Sequence, residues 1–206
     1  MYEMRSGLVR MTSNRFLWRT LDDALRARAS DTPATWLNHY RDMYVEAQVI
    51  GLRRFIQGDN QKDHLTLSRV LGTLQAKPEI INSRHLDSLG EVCSGPIRDH
   101  MESEWLTKKG FLKRSIPARD LKLLTGSESA IKVLRWGNRR VAHTYPIESI
   151  NTPPPIFADI HSVLDTATGI YSRYHHLLAG TFIAEDVNVY QPNWTNSFDR
   201  PLFDQV

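Results

Sequence analysis

From Phe16 to Leu178 the apolar residues of this chain recur every three or four positions, and no segment sustains an alternation of apolar and polar residues. A recurrence near 3.6 lays residues on one face of a helix, whereas a half-buried strand requires a period of two. The pattern therefore predicts an all-α bundle. Val187 to Tyr190 is the one short stretch that reads as a strand.

The runs divide at recognisable signals. Phe16, Leu17, Leu21, Ala24 and Leu25 predict a helix over 13–28, and Asp31-Thr-Pro33 ends it and starts the next. Trp36, Tyr40, Met43, Tyr44, Ala47 and Ile50 form the expected inward stripe of a helix reaching about Ile56. A short helix follows from Thr66, stopped by Pro78. Leu86, Leu89, Cys93, Ile97, Met101 and Trp105 continue the period from Ser83, with Gly95-Pro96 predicting a kink or break and Lys108-Lys-Gly110 closing the run. Ser115-Ile-Pro117 opens a helix that turns Leu121 and Leu124 inward; Gly126 divides it, and Ser127 suits a cap for a segment carrying Ile131, Leu134, Val141 and Tyr145 on one face. Thr152-Pro-Pro-Pro155 reads as a stiff linker. The last helix spans Ile156 to Ala179, with Ile160, Val163, Leu164, Ala167, Ile170, Tyr171, Tyr174 and Leu178 inward and Gly180 at its end. The organisation is thus a bundle over residues 1–180 and an extended tail over 181–206. Trp194, Phe198, Leu202 and Phe203 make that tail too apolar to stay exposed, so it is expected to pack on the bundle.

Composition narrows the class. A chain of 206 residues can bury a sizeable core without staples. Its single cysteine, Cys93, excludes an intramolecular disulfide and a multi-cysteine zinc site, and fits a reducing compartment. No apolar run approaches the about 18–20 residues that span a bilayer, and the first residues lack the apolar core of a signal peptide. The expectation is a cytoplasmic protein with no membrane partner. The formal net charge is only +3, but its distribution is uneven. Lys108 to Arg140 holds ten basic and two acidic residues, whereas Val141 to Val206 holds two basic and seven acidic ones. That asymmetry fits either an anion-binding face or internal pairing of the two regions.

The sequence holds no Gly-rich phosphate loop, no His-Glu-x-x-His and no Gly-x-Ser-x-Gly. The adjacent His175 and His176 point about 100° apart on a helix, too far to chelate one ion together. Asp59, Asp63 and His64 form a weak loop cluster for a metal, and Cys93 lies on an apolar stripe as a core residue. No cofactor and no metal are expected. The chemically suggestive stretch is Leu134-Arg-Trp-Gly-Asn-Arg-Arg-Val-Ala-His143-Thr-Tyr-Pro146. On an α-helix, Lys132, Arg135, Arg139 and His143 share a polar stripe. A guanidinium binds phosphoryl oxygens in a fork, and an imidazole exchanges protons near neutrality. Those are the two functions that metal-free cleavage of RNA requires. Asn138 falls on the apolar face beside Gly137, which lets another backbone approach. It reads as a polar clasp between helices, as a surface-exposed helix end, or as a site residue at a helix–helix or subunit junction.

Asn138-Arg-Arg-Val-Ala-His143-Thr-Tyr-Pro resembles the Asn-Lys-x-x-Ala-His-x-x-Pro stretch of the HEPN superfamily, in its abortive-infection U-type branch. Three further segments are similar to elements of that branch: Tyr44-Val-Glu-Ala-Gln-Val-Ile-Gly-Leu-Arg-Arg54, His64-Leu-Thr-Leu-Ser-Arg-Val-Leu71, and the tryptophan-containing Asn193-Trp-Thr-Asn-Ser-Phe-Asp-Arg-Pro201. The resemblance implies an all-α homodimer. It further implies RNA cleavage without metal, and a role in anti-phage defence or a toxin–antitoxin pair, so that RNA and an antitoxin or other protein become the expected partners. The superfamily's motif is an arginine, then four to six intervening residues, then a histidine; here the positions seven, six and five before His143 are Trp136, Gly137 and Asn138. His143 and Asn138 carry over, and Arg139 or Arg135 is left to supply the charge. The alternative is a catalytically silent HEPN-like module that binds RNA, nucleotide or a protein.

Overall fold

A computed structural model describes residues 2–26, 34–57, 65–142 and 153–180. Among these the fold is all-α, with eight α-helices, short 3-10 turns and one π-helical segment. Residues 181–206, and with them Trp194, Phe198 and the short strand expected at 187–190, lie outside the described residues.

Helix α1 (Tyr2–Arg26) begins well before the expected residue 13. Met4, Leu8 and Met11 carry its buried stripe back from Trp18 and Leu21 at the same three-and-four spacing. Helix α2 (Ala34–Ile56) lies against α1 on one side and packs on α3, α7 and α8 as well. Its inward face differs from the expected one. Tyr44 is buried as expected, but Met43 is 56% exposed, and Trp36 and Ala47 are also exposed. The core side of α2 instead runs through Gln48, Val49, Leu52, Phe55 and Ile56. The cause is aromatic stacking at the first half of the helix. Trp36 lies parallel to Tyr40, and Tyr40 and Tyr44 each stack on the buried Trp18 of α1, so rings cover rings at the edge of the bundle. Gln48, fully buried, donates from Nε2 to the Met11 carbonyl at 2.9 Å. One turn on, Gly51 meets the Met11 thioether so closely that an added Cβ would lie 2.8 Å from its sulfur.

Helices α3 (Leu67–Ala76), α4 (Ser83–Ser88) and α5 (Gly95–Trp105) follow the expected punctuation. The Thr66 hydroxyl accepts from the Arg69 N–H, and the Asn82 side chain accepts from the His85 N–H, each relieving an unsatisfied amide of a first turn. Gly95-Pro96 makes a full break, because proline is at home only in the first turn of a new helix. The stripe therefore does not stay continuous: Cys93 and Met101 are buried, while Ile97 is exposed. A tight loop then runs from Leu106 to Leu112, closed by an antiparallel bridge between those two residues.

Helix α6 (Ser115–Gly126) and helix α7 (Glu128–Trp136) meet where Gly126 and Ser127 predict a division, with the Ser127 hydroxyl accepting from the Ala130 N–H at 3.2 Å. The inward residues of α7 are Ala130, Val133, Leu134 and Trp136, whereas Ile131 is exposed rather than inward. Helix α8 (Phe157–Ala179) buries seven of its eight expected residues and half-buries Leu178, and Gly180 ends it in the left-handed region at φ 65°. The Asp159 carboxylate accepts from the Ile156 N–H at 3.2 Å and from Ser129 Oγ at 2.7 Å, which joins the start of α8 to α7. No helix among the described residues is long and apolar enough to cross a membrane.

The most buried charge is Asp120 of α6, with no solvent exposure. Its Oδ2 accepts from Arg173 Nη1 and from Tyr174 Oη, both at 3.0 Å, and its Oδ1 lies 3.3 Å from the Arg119 guanidinium. Arg173 also covers the Trp105 ring at 5.7 Å, so one ionic network fastens α5, α6 and α8. Burial, and then the Asp120 charge, hold the Tyr174 phenol far above its ordinary range, so it stays a donor. Replacement Asp120→Ala leaves the guanidinium and the phenol without their acceptor. It is expected to cost about 3–5 kcal/mol, read by urea unfolding, with Asp120→Asn costing less. Equal stability of the alanine variant and the parent would show that the network contributes nothing.

Candidate functional site

The basic stripe leaves α7 and enters the π-helical segment Gly137–Ala142. A π-turn bonds residue i to i+5 and so turns through less than 100° per residue. The expectation that Lys132, Arg135, Arg139 and His143 form one straight α-helical stripe is therefore corrected at Gly137. Lys132 and Arg135 keep α-helical spacing, and Arg139 is displaced around the axis. Single π-turns are frequent at functional sites, where the extra residue re-aims the side chains around it.

The cations on this element differ in their partners. Lys132 pairs with Glu128 at 2.9 Å and lies 3.9 Å from Asp159, so it is engaged in holding α7 to α8. Arg135 and Arg139 are exposed, and no carboxylate of the described residues lies within 4 Å of either. Their charge faces water and is open to an anion.

Asn138 is the polar clasp between helices that its position on the apolar face suggests. Its Oδ1 accepts from Nε of Arg53 on α2, and its Nδ2 lies 3.4 Å from the side-chain oxygen of Gln57. Gly137 makes this contact possible. A Cβ there would fall 3.1 Å from Val49 Cγ1 and 3.4 Å from both Cβ and Cδ of Arg53. The close approach that Gly137 permits is to α2 of the same chain. Arg53 is the residue that sequence reasoning missed. It belongs to the Tyr44–Arg54 segment and is 85 residues away from Asn138, so no local spacing could pair the two.

His143 and Tyr145 lie outside the described residues, as do Asp59, Asp63 and His64. Cys93 is a buried core thiol, and burial pushes its pKa up, away from nucleophilic character. Among the described residues no group of three or more histidines, cysteines or carboxylates could hold a metal ion.

A second constellation lies on the other side of α2. His161 sits on the half-buried side of α8, with its Nε2 2.9 Å from the Tyr44 hydroxyl and its ring beside Phe157. Arg15 of α1 pairs with Asp165, one turn along α8. Burial lowers the His161 pKa first, and the charges of Arg19 and Arg15 add to it, while Asp165 opposes them. The neutral ring and the Tyr44 hydroxyl share one hydrogen bond, and burial raises that phenol to about 12. A histidine harder to protonate in the folded state than in the unfolded chain contributes stability that is present above about pH 6.5 and is lost as pH falls through the depressed value. Urea unfolding should accordingly show stability falling below about pH 6.5, with a shallower fall in His161→Gln. An identical acid slope in that variant would remove His161 from the effect. The sequence hides the pair because His161 looks like one more polar residue on an amphipathic helix.

Comparison with protein-family models, with curated proteins and with solved structures finds no match for this chain.

Proposed function

We propose that this helical bundle cleaves RNA without a metal ion, acting as a homodimer of the anti-phage defence or toxin–antitoxin type. His143 would exchange the protons, and Arg139, with Arg135 and Arg53, would hold the phosphate. The observation that supports this reading is the π-turn beside α2, where an exposed Arg139 without a carboxylate partner among the described residues follows directly on the Asn138 that bonds Arg53. Arg53 brings from another helix the guanidinium that the local sequence lacks before His143.

The chemistry follows from these groups. The 2′-oxygen attacks phosphorus as an imidazole takes its proton, the bond from phosphorus to the 5′-oxygen breaks, and an imidazolium returns a proton to that oxygen. The products are a 2′,3′-cyclic phosphate and a 5′-hydroxyl. One histidine in two protonation states is slower at this than two, and a two-fold axis would supply the second copy of the same group. Guanidiniums stabilise the charge that builds on the phosphoryl oxygens.

The alternative is a silent module that binds RNA, nucleotide or a protein partner. Both polar atoms of Asn138 already bond within the chain, to Arg53 and Gln57, which suits a structural clasp as well as a substrate-orienting group. Incubation of the purified protein with RNA in excess EDTA separates the two. The nuclease reading expects cyclic-phosphate ends, their loss in His143→Ala, and turnover reduced roughly tenfold or more in Arg139→Ala. Cleavage that survives His143→Ala overturns the assignment of that residue. Binding without cleavage establishes the alternative.

A further inference from the structure

Away from the π-turn, the loop between α5 and α6 carries a dense run of positive charge. Lys108, Lys109 and Arg114 line an open cleft of about 660 Å³ together with Phe111 and Pro78. All three cations are exposed, and no carboxylate of the described residues lies within 4 Å of any of them. Lys113 is the exception in the run, because its ammonium caps the carbonyls of Ser103 and Glu104 at the end of α5. Phe111 is 41% exposed, although its neighbour Leu112 is fully buried. The phenyl ring is thus presented at the surface of the cleft among the cations.

The loop is built to be rigid. Gly110 turns it at φ 76°, a conformation that residues with a side chain rarely adopt. The Thr107 amide donates to the Phe111 carbonyl at 2.7 Å, the Gly110 amide to the Thr107 carbonyl at 2.8 Å, and the Lys113 amide to the Trp105 carbonyl at 2.7 Å. The Leu112 amide reaches back to the Ile81 carbonyl at 3.0 Å, and the Gly110 carbonyl accepts from the Ser83 amide at 3.2 Å. The loop is thereby fastened to the start of α4, and the ring and the cations are displayed from a fixed frame.

From this arrangement we infer that the Thr107–Arg114 loop is a binding site for single-stranded nucleic acid, with a base stacked on Phe111 and the flanking phosphates on Lys108, Lys109 and Arg114. Single-strand sites combine these two elements: a flat ring, which accepts any base, and cations that follow the backbone. An acidic peptide would also be drawn to the charge. However, the backbone donors of Thr107, Gly110, Leu112 and Lys113 are already engaged, so a peptide strand finds little edge to pair with. Recognition falls to side chains alone, and the exposed ring favours a base. The inference stands apart from the cleavage reading, because it requires no reaction and none of the residues assigned to one.

The test uses the full chain and a short fluorescent oligothymidylate, which lacks the 2′-hydroxyl and so cannot be cleaved by the route above. Binding is followed by fluorescence anisotropy across a salt series. Phe111→Ala should weaken binding roughly tenfold, and Phe111→Trp should restore it. The Lys108→Ala, Lys109→Ala, Arg114→Ala triple variant should flatten the dependence of log K on log salt by about 2, near 0.7 for each phosphate no longer neutralised. The three cations are exposed, so the melting temperature should not move in the triple variant; Phe111→Ala, which removes a ring that is still partly packed, is compared at a temperature where it remains folded. Absence of binding by the parent, an unchanged salt slope in the triple variant, or equal affinity in Phe111→Ala overturns the inference. So does oligoglutamate that competes as well as the nucleic acid and ignores the loss of the ring, which would point to an acidic protein partner.

Discussion

A missing side chain at Gly137 sets the distance between α2 and the end of α7. With even a methyl group at that position, Val49 and Arg53 would have to retreat, since the nearest contact would be 3.1 Å. Because the helices can close, Arg53 reaches Asn138, and α2 seats between α1 on one side and α7 and α8 on the other. The core residues Val49, Leu52 and Ile56 are fully buried as a result. Packing and site are therefore one problem here: the approach that completes the core also brings a guanidinium from α2 against the π-turn.

Much of the fold was legible because its signals are local. Thr66, Ser127, Pro96 and Gly180 each act within one turn of their own position, and each stands where the chain starts, breaks or ends a helix. Helix α8 was readable almost residue by residue, since it is buried along its length and its apolar period is uninterrupted. The failures share a cause. On α2 the apolar stripe through Met43 and Ala47 competes with a second one, and the choice between them is made by Trp18, Gln48 and the neighbouring helices, none of which a period can express. The start of α1 was missed although Met4, Leu8 and Met11 carry the right spacing, because the polar residues among them dilute the signal.

The candidate site was legible in composition and illegible in geometry. The run of basic residues marks the region from Lys108 to Arg140, but formal charge cannot distinguish an engaged cation from an open one. Only the packed structure shows Lys132 and Lys113 committed to the bundle while Arg135, Arg139, Lys108, Lys109 and Arg114 face solvent. The π-turn is likewise invisible to a reading at 100° per residue. Arg53 and His161 could be found only through partners 85 and 117 residues away.

The contact between Met11 and Gly51 has a consequence for how such a sequence can change over generations. The thioether occupies the space that a side chain at residue 51 would need, and the carbonyl of the same methionine serves Gln48. Residue 51 can grow only where the Met11 side chain shifts or shortens, which couples changes at the two positions. A homologue with alanine at the one should carry a smaller side chain at the other. A larger residue at position 51 is thus opposed by a neighbour on another helix, and a change there calls for an accommodating shift across the seam between α1 and α2.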